Sequence, residues 1–216
     1  IYARQDQSLA AWAAELEVAL DLAPDHLSLY QLTIEPETVF GRRAALGQLP
    51  GLPDEGLEAD MYMLTQERTA KAGRPGYEVS NHAAPGQEAR HNLIYWTGRE
   101  FAGVGPGAHG RIRVNEERIA TAAVPMPDDW LAAAGTAAAY SDWGTLSPEE
   151  ELTELLLMGL RLRAGIQAER LDALGFDWTR TVDLCAEGWV EADTDGLRLT
   201  EAGRPLLNAV LGRLVA

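Results

Sequence analysis

Seven consecutive residues, Arg90-His91-Asn92-Leu93-Ile94-Tyr95-Trp96, place an imidazole, an amide, a phenol and an indole side by side, between a Pro-Gly turn and a glycine cluster. A neutral imidazole can ligate iron, an indole offers a flat face for stacking, and a phenol can orient either a ligand or the imidazole. The same residue types also build ordinary buried corners, and for His91 alone a satisfied structural histidine is the plainer reading. The other histidines are His26, which opens a strand-like run, His82, which follows one, and His109, which sits among glycines. None of the four forms an H-x-x-x-H or H-E-x-x-H pair, so a zinc hydrolase is not indicated. No nucleophile elbow, P-loop or convincing pair of catalytic carboxylates is present. The single cysteine, Cys185, rules out a disulfide framework and any cysteine-ligated zinc or iron–sulfur cluster built from this chain alone; it reads as a small buried hydrophobe.

Gly105-Pro106-Gly107-Ala108-His109-Gly110 matches G-x-G-x-x-G letter for letter. A dinucleotide fingerprint needs a helix directly after it, whose N-terminus holds the pyrophosphate. Here the next residues, 111–121, alternate about a polar centre and predict a β-hairpin instead. The glycines therefore let backbone come close to something, either a ligand or packed chain.

The elements that must carry these residues follow an α/β pattern. Ser8 caps a predicted helix to about Leu22, with Leu9, Trp12, Ala13, Leu16 and Leu20 on one face. Residues 26–34 alternate as a strand, parallel to one ending at Tyr2 because a helix joins them. Residues 41–53 read as a loop, and Asp54 starts a helix that Gly73 ends. Residues 77–81 and 101–104 read as short strands, and 127–139 as an alanine-rich helix. Ser147-Pro148-Glu149-Glu150 is a capping box with Pro at the first helical position. A helix to about Arg163, a short helix, one from about 177 to 187, a hairpin around Asp195-Gly196 and a last helix with Leu206, Leu207, Val210, Leu211 and Leu214 inward then suggest a winged-helix module. The division falls near 140–147, giving residues 1–140 and 141–216.

Net charge is −15, which disfavours a nucleic-acid partner, since such affinity comes from Lys and Arg on phosphates. From Ser147 onward seven arginines face thirteen acids, so the winged-helix part reads as a protein-packing module rather than a DNA reader. No apolar run reaches the roughly 20 residues of a membrane span, and a reducing cytoplasm fits the cysteine usage. Ile1-Tyr2 reads as the end of a buried strand whose opening half lies upstream.

Taken in order, Ile1-Tyr2 with Gln7-Ser8-Leu9 and Trp12, DHLSLYQLTIEP (25–36), YEVSNHA (77–83), RHNLIYW (90–96) and GVGPGAHG (103–110) resemble the coproporphyrinogen III oxidase-like branch of the radical S-adenosylmethionine (SAM) superfamily, nearest to its HemW-type haem chaperones. The resemblance covers nearly the whole chain. It implies a mixed α/β fold: the last part of a (β/α)6 partial barrel, an added β region and a helical, winged-helix-like C-terminal domain. It implies a 4Fe–4S cluster on an N-terminal CxxxCxxC motif and SAM at the fourth iron. This chain has no such motif, so the expectation is one roughly 150 to 200 residues before Ile1, and no radical chemistry from this chain alone. On the SAM side the family positions fall at Gln31 and at Gly105, Gly107 and His109, mostly as backbone contacts. The family's Gly-Leu-Pro-Gly after the Ile-Tyr strand end is here Ala3-Arg4-Gln5-Asp6.

The HNxxYW signature of the haem-chaperone branch is complete in His91, Asn92, Tyr95 and Trp96, with His91 the residue that could ligate haem iron. The resemblance thus implies haem binding and delivery to acceptor proteins. An alternative within the family is oxygen-independent decarboxylation of coproporphyrinogen III; a winged-helix regulator is the non-enzymatic one.

Overall fold

The computed structural model describes residues 1–22, 24–115 and 117–215, arranged in two compact units, 1–89 and 90–216. In the first unit, α1 (Leu9–Asp21) starts where Ser8 accepts a hydrogen bond from the Ala11 amide, and it buries Trp12, Leu16 and Leu20. The strand expected over 26–34 is shorter: β1 spans His26–Ser28, and Gln31 makes a single parallel bridge to Tyr2. The expected loop over 41–53 contains a helix, α2 (Val39–Ala45), capped by Thr38. Its Gly41 packs so closely on the Glu35 and Pro36 carbonyls that a Cβ would overlap them. Then α3 (Glu55–Lys71) begins at the Asp54 cap and ends before Gly73, whose φ is +75°.

The second strand falls later than the sequence suggests, at β2 (Asn81–Ala83), antiparallel to β1 with Ser28 opposite Asn81. Residues 77–80 instead form bends closed by Glu78, which is fully buried and accepts from the Ser80 amide and hydroxyl and from the Asn81 side chain. The core of this unit stacks Tyr2 on Trp12, 4.9 Å between ring centres, against Leu16, Leu20, Leu29 and Met61. Burial pushes the Tyr2 phenol up, with help from Tyr62 and Glu58. Two buried polar links cross it: Trp12 Nε1 donates to Thr65 Oγ1 at 2.8 Å, and Thr69 Oγ1 meets His82 Nδ1 at 3.0 Å. Ala3 and Asp6, where the resembling family has glycine, are two of the three non-glycine residues with positive φ among those described (60° and 58°). The loop keeps a left-handed course without the residue that adopts it freely, at a cost of roughly 1–2 kcal/mol each.

The second unit opens with α4 (Arg90–Trp96). An antiparallel three-stranded sheet follows, in the order β3 (His109–Val114), β4 (Glu117–Ala123), β5 (Tyr140–Thr145). The hairpin is as expected, although Glu116 in its polar centre lies outside the described residues. Strand β5 falls where the sequence suggested a boundary. The expected helix 127–139 divides into α5 (Pro127–Ala133) and a 3-10 turn at Ala137–Ala139, separated at Gly135, whose φ is +83°. Phe101 makes one bridge to Arg111 rather than opening a strand.

Next come α6 (Pro148–Gly159), β6 (Ile166–Gln167), α7 (Ala168–Ala173), a 3-10 turn at Trp178–Thr181, α8 (Val182–Ala186), β7 (Val190–Ala192), β8 (Gly196–Leu199) and α9 (Leu207–Val215). The wing gains a third strand, in the order β6-β8-β7. Leu156, Leu160, Leu171, Leu184, Leu197, Val210 and Leu214 are fully buried, each contributing roughly 1.5–3 kcal/mol. Leu206, expected inward, is partly exposed, and Cys185 is exposed rather than buried, because α8 turns Leu184 inward in its place.

The capping box of α6 forms as read: Ser147 Oγ accepts from the Glu150 amide at 3.2 Å, and Glu150 accepts from the Ser147 amide at 2.8 Å. These bonds hold the Glu150 carboxyl below its ordinary range. A depressed folded-state value gives stability that is present above the ordinary carboxylate range and lost as pH falls through it. Ser147→Ala should cost about 1 kcal/mol in urea unfolding, and Glu150→Gln should flatten the loss of stability on acidification. An unchanged acid slope in the Gln variant would assign that loss to other carboxylates.

Candidate functional site

Helix α4 is short, and its C-terminal turn is what holds it. Gly98, with φ +60°, lets the Gly98 amide reach the Tyr95 carbonyl and the Arg99 amide reach the Ile94 carbonyl, both at 2.9 Å. Four-residue spacing puts His91 and Tyr95 on one face. Their rings meet edge-on at 4.8 Å, and Tyr95 Oη lies 3.1 Å from His91 Nε2. If Nε2 carries the proton and donates it to the phenol oxygen, the Nδ1 lone pair is left for a metal. His91 is exposed and Tyr95 half-buried. Tyr95 also packs edge-on against Phe101 at 4.5 Å.

Asn92 is half-buried. Trp96 takes another direction, with the Arg161 guanidinium 4.6 Å over its ring. One face of the indole is therefore already covered, and only the opposite face or an edge is left for stacking. Its Nε1 is buried and has no hydrogen-bond partner among the described residues.

The glycine cluster serves two ends. Gly103 and Gly110 are packing glycines: a Cβ at Gly103 would lie 2.3 Å from the His109 carbonyl oxygen, and one at Gly110 2.6 Å from Thr121 Oγ1. Gly105 and Gly107 are conformational, with φ of +111° and +68°. A Cβ at Gly105 would meet nothing within 4 Å. Gly103, Val104 and Gly105 line a cleft of about 680 Å³ whose other wall includes Trp130, Tyr140 and Trp143. His109, exposed at the start of β3, lines a different cavity of about 280 Å³ together with Tyr95, Phe101 and Arg111. The second unit thus brings Tyr95 and His109 to one cavity, and His91 to it through the Tyr95 hydroxyl. Gln31 belongs to the first unit. There the Tyr2 amide donates to the Tyr30 carbonyl and the Leu32 amide to the Tyr2 carbonyl, both at 2.9 Å, which turns the amide and carbonyl of Gln31 itself away from Tyr2.

Sequence reasoning missed an arginine cluster beside α4. Arg113 and Arg118 stand directly opposite each other on β3 and β4, and Glu151 Oε1 lies 3.4 Å from both. Glu154 accepts from Arg111 Nε at 2.7 Å and lies 3.6 Å from Arg118. Burial, then the charge of Arg118, pulls Arg170 below the ordinary guanidinium range, against the pull of Glu151. The available signal was Arg111-x-Arg113 facing Arg118 across a predicted hairpin, a like-charge pair that needs a counter-ion.

The arrangement is that of a mixed α/β protein. The whole chain superposes on 53% of the Escherichia coli coproporphyrinogen III oxidase HemN, a radical SAM enzyme, with a TM-score of 0.75 at 16% identity. Residues 146–206 match the HemN C-terminal domain family. The chain is 35% identical over 216 residues to the heme chaperone HemW of Mycobacterium tuberculosis, covering all of this chain and 54% of that protein. It is 33% identical over 214 residues to the heme chaperone HemW of Bacillus subtilis, covering 95% of this chain and 55% of that one. The chain belongs to the coproporphyrinogen III oxidase-like family that includes HemN and HemW. It spans about half the length of the curated relatives it matches.

Two glycines of the cluster separate packing from conformation. Gly103→Ala should cost about 3 kcal/mol or more, because backbone stands in the way, as in other overpacked sites. Gly105→Ala should cost only about 1–2 kcal/mol, from its positive φ. Chemical denaturation of both variants checks the order; a reversed order would put a close contact at Gly105 that the open space there does not contain.

Proposed function

We propose that the protein carrying this chain binds haem and passes it to acceptor proteins, with α4 supplying the contact to iron. The observation that carries this reading is the His91–Tyr95 pair: an exposed imidazole, oriented by a hydrogen bond from its own helix, beside a cavity with an aromatic wall. A second-sphere hydrogen bond of this kind fixes the ring direction of a metal-binding histidine, and the form that binds iron through Nδ1 is the one in which Nε2 donates to the phenol oxygen. The HemW names of relatives at 33–35% identity support the same cargo. Asn92 and Trp96 belong to this site in a supporting role, beside the residue that meets iron. Decarboxylation of coproporphyrinogen III is supported by likeness of fold alone, at 16% identity.

The family implies SAM and a 4Fe–4S cluster for the intact protein. One exposed cysteine does not fit a cluster, and no group of three His, Cys, Asp or Glu suited to a metal occurs among the described residues. For SAM the fit is better. In the second unit the open backbone at Gly105 suits a ligand held through main-chain groups, with Gly107 and His109 further along the same loop; in the first unit the amide and carbonyl of Gln31 face away from Tyr2. SAM would supply a reactive sulfonium when bound; what this chain offers is its backbone. No helix among the described residues is long and apolar enough to cross a membrane, and a cytoplasmic setting suits a chain with one cysteine. The capping box at Ser147 and the family match from residue 146 support a C-terminal module that starts at α6, later than the expected division at 140, because β5 pairs with β4.

Haemin titration of the full chain, followed at the Soret band, tests the reading. His91→Ala should weaken binding by about tenfold or more, and Tyr95→Phe by about tenfold, the usual effect of losing an outer-shell partner. Wild type and His91→Ala titrating alike would return α4 to architecture.

A further inference from the structure

In a chain of net charge −15, five arginines gather around Gly98. Arg111, Arg113 and Arg118 come from the β3–β4 hairpin. Arg170 Nη1 donates to the Thr97 carbonyl at 2.7 Å, and Arg99 follows the glycine directly. A Cβ at Gly98 would lie 3.1 Å from Arg170 Nη2 and 3.7 Å from Arg118 Nη1, so the guanidinium groups pack directly against a turn whose positive φ favours glycine. Three carboxylates face them. Glu154 is taken by Arg111 and Arg118, Glu151 is shared by Arg113 and Arg118, and Glu100 accepts the Arg113 amide at 3.0 Å. Among the described residues five guanidinium groups meet these three carboxylates, and exposed Arg99 makes no ion pair with any of those residues.

The excess lines a space. Ile94, Gly98, Arg99, Glu100, Arg113 and Arg118 enclose a cavity of about 420 Å³. It shares Gly98 and Arg118 with the cavity that holds Tyr95, Phe101 and His109. Arg118 is nine-tenths buried and belongs to both walls.

We propose that this arginine pocket is a carboxylate site, receiving a propionate of the tetrapyrrole whose iron His91 meets. The inference rests on the haem reading of α4. A guanidinium fork matches a carboxylate with two parallel hydrogen bonds. From His91 to the end of α4 at Trp96 the helix rises about 7–8 Å, and the Gly98 turn follows directly, so the pocket sits toward the rim of a ring anchored at His91. Ile94, Tyr95 and Phe101 provide apolar surface for the ring edge between.

The test compares haemin with haemin dimethyl ester, which keeps ring and iron and masks both carboxylates, on the full chain. It uses Arg99→Gln, Arg113→Gln, the double variant and His91→Ala. Both arginines are at the surface, so the thermal midpoint should hold; if Arg113→Gln lowers it, Arg99→Gln and the charge reversal Arg99→Glu decide alone. Expected is a loss of about ten- to hundredfold in haemin affinity for the double variant, the range for charged hydrogen bonds. The diester should bind wild type and double variant equally weakly, and rising salt should weaken haemin on wild type only. Diester binding as tight as haemin, or arginine variants titrating as wild type while His91→Ala fails, would overturn the pocket and leave the haem reading standing. No haemin binding by any form would overturn both.

Discussion

The second unit depends on how two glutamates one helical turn apart are used. Glu151 and Glu154 lie on α6 and reach the β3–β4 hairpin, where Arg113 and Arg118 stand opposite each other. Without a counter-ion that cross-strand pair is repulsive, and Arg118 is too buried for water to screen it well. The carboxylates convert a liability of the sheet into a tie between sheet and helix. The capping box matters for the same reason: it fixes the first turn of α6, and with it the direction in which both glutamates point.

That tie positions α4. The Gly98 turn that closes the helix is wedged against Arg118 and Arg170, and Trp96 is held from the other side by Arg161. A seven-residue helix is too short to be stable by itself. It persists because its C-terminal turn and its indole are fastened, while His91 and Tyr95 remain on the open side. The motif therefore divides its work. Trp96 is fastened on one face by Arg161, Tyr95 links helix to cavity, and His91 is the exposed one of the four.

What was legible in the sequence follows the range of the forces involved. Helices α1, α3 and α6 could be read because caps and apolar stripes are local, and Ser8, Asp54 and Ser147 all cap as expected. The hairpin of β3 and β4 and the wing could be read from alternation and turn residues. Strand β5 could not: Tyr140-Ser-Asp-Trp-Gly-Thr is exposed along almost its whole length and forms only because β4 offers it an edge. The shift of β2 depends on a contact distant in sequence, its pairing with β1, where Ser28 Oγ donates to Asn81 Oδ1. For the candidate site, the residue types were visible but their grouping was not. Spacing four apart announced the His91–Tyr95 pair, whereas the arginines come from the Gly98 turn, two strands and α7.

The glycine cluster shows how one string can satisfy two demands. Gly103 and Gly110 are required because chain packs on chain, and any side chain there would strike backbone or Thr121. Gly105 and Gly107 are required for their φ, and around Gly105 nothing is packed. A loop packed at its ends and open at Gly105 leaves main chain there with no side chain in front of it. Binding through main chain needs little of side-chain identity. The positions facing such a ligand can then be those where the sequence says least, while His91, which must present a particular atom, is spelled out by type.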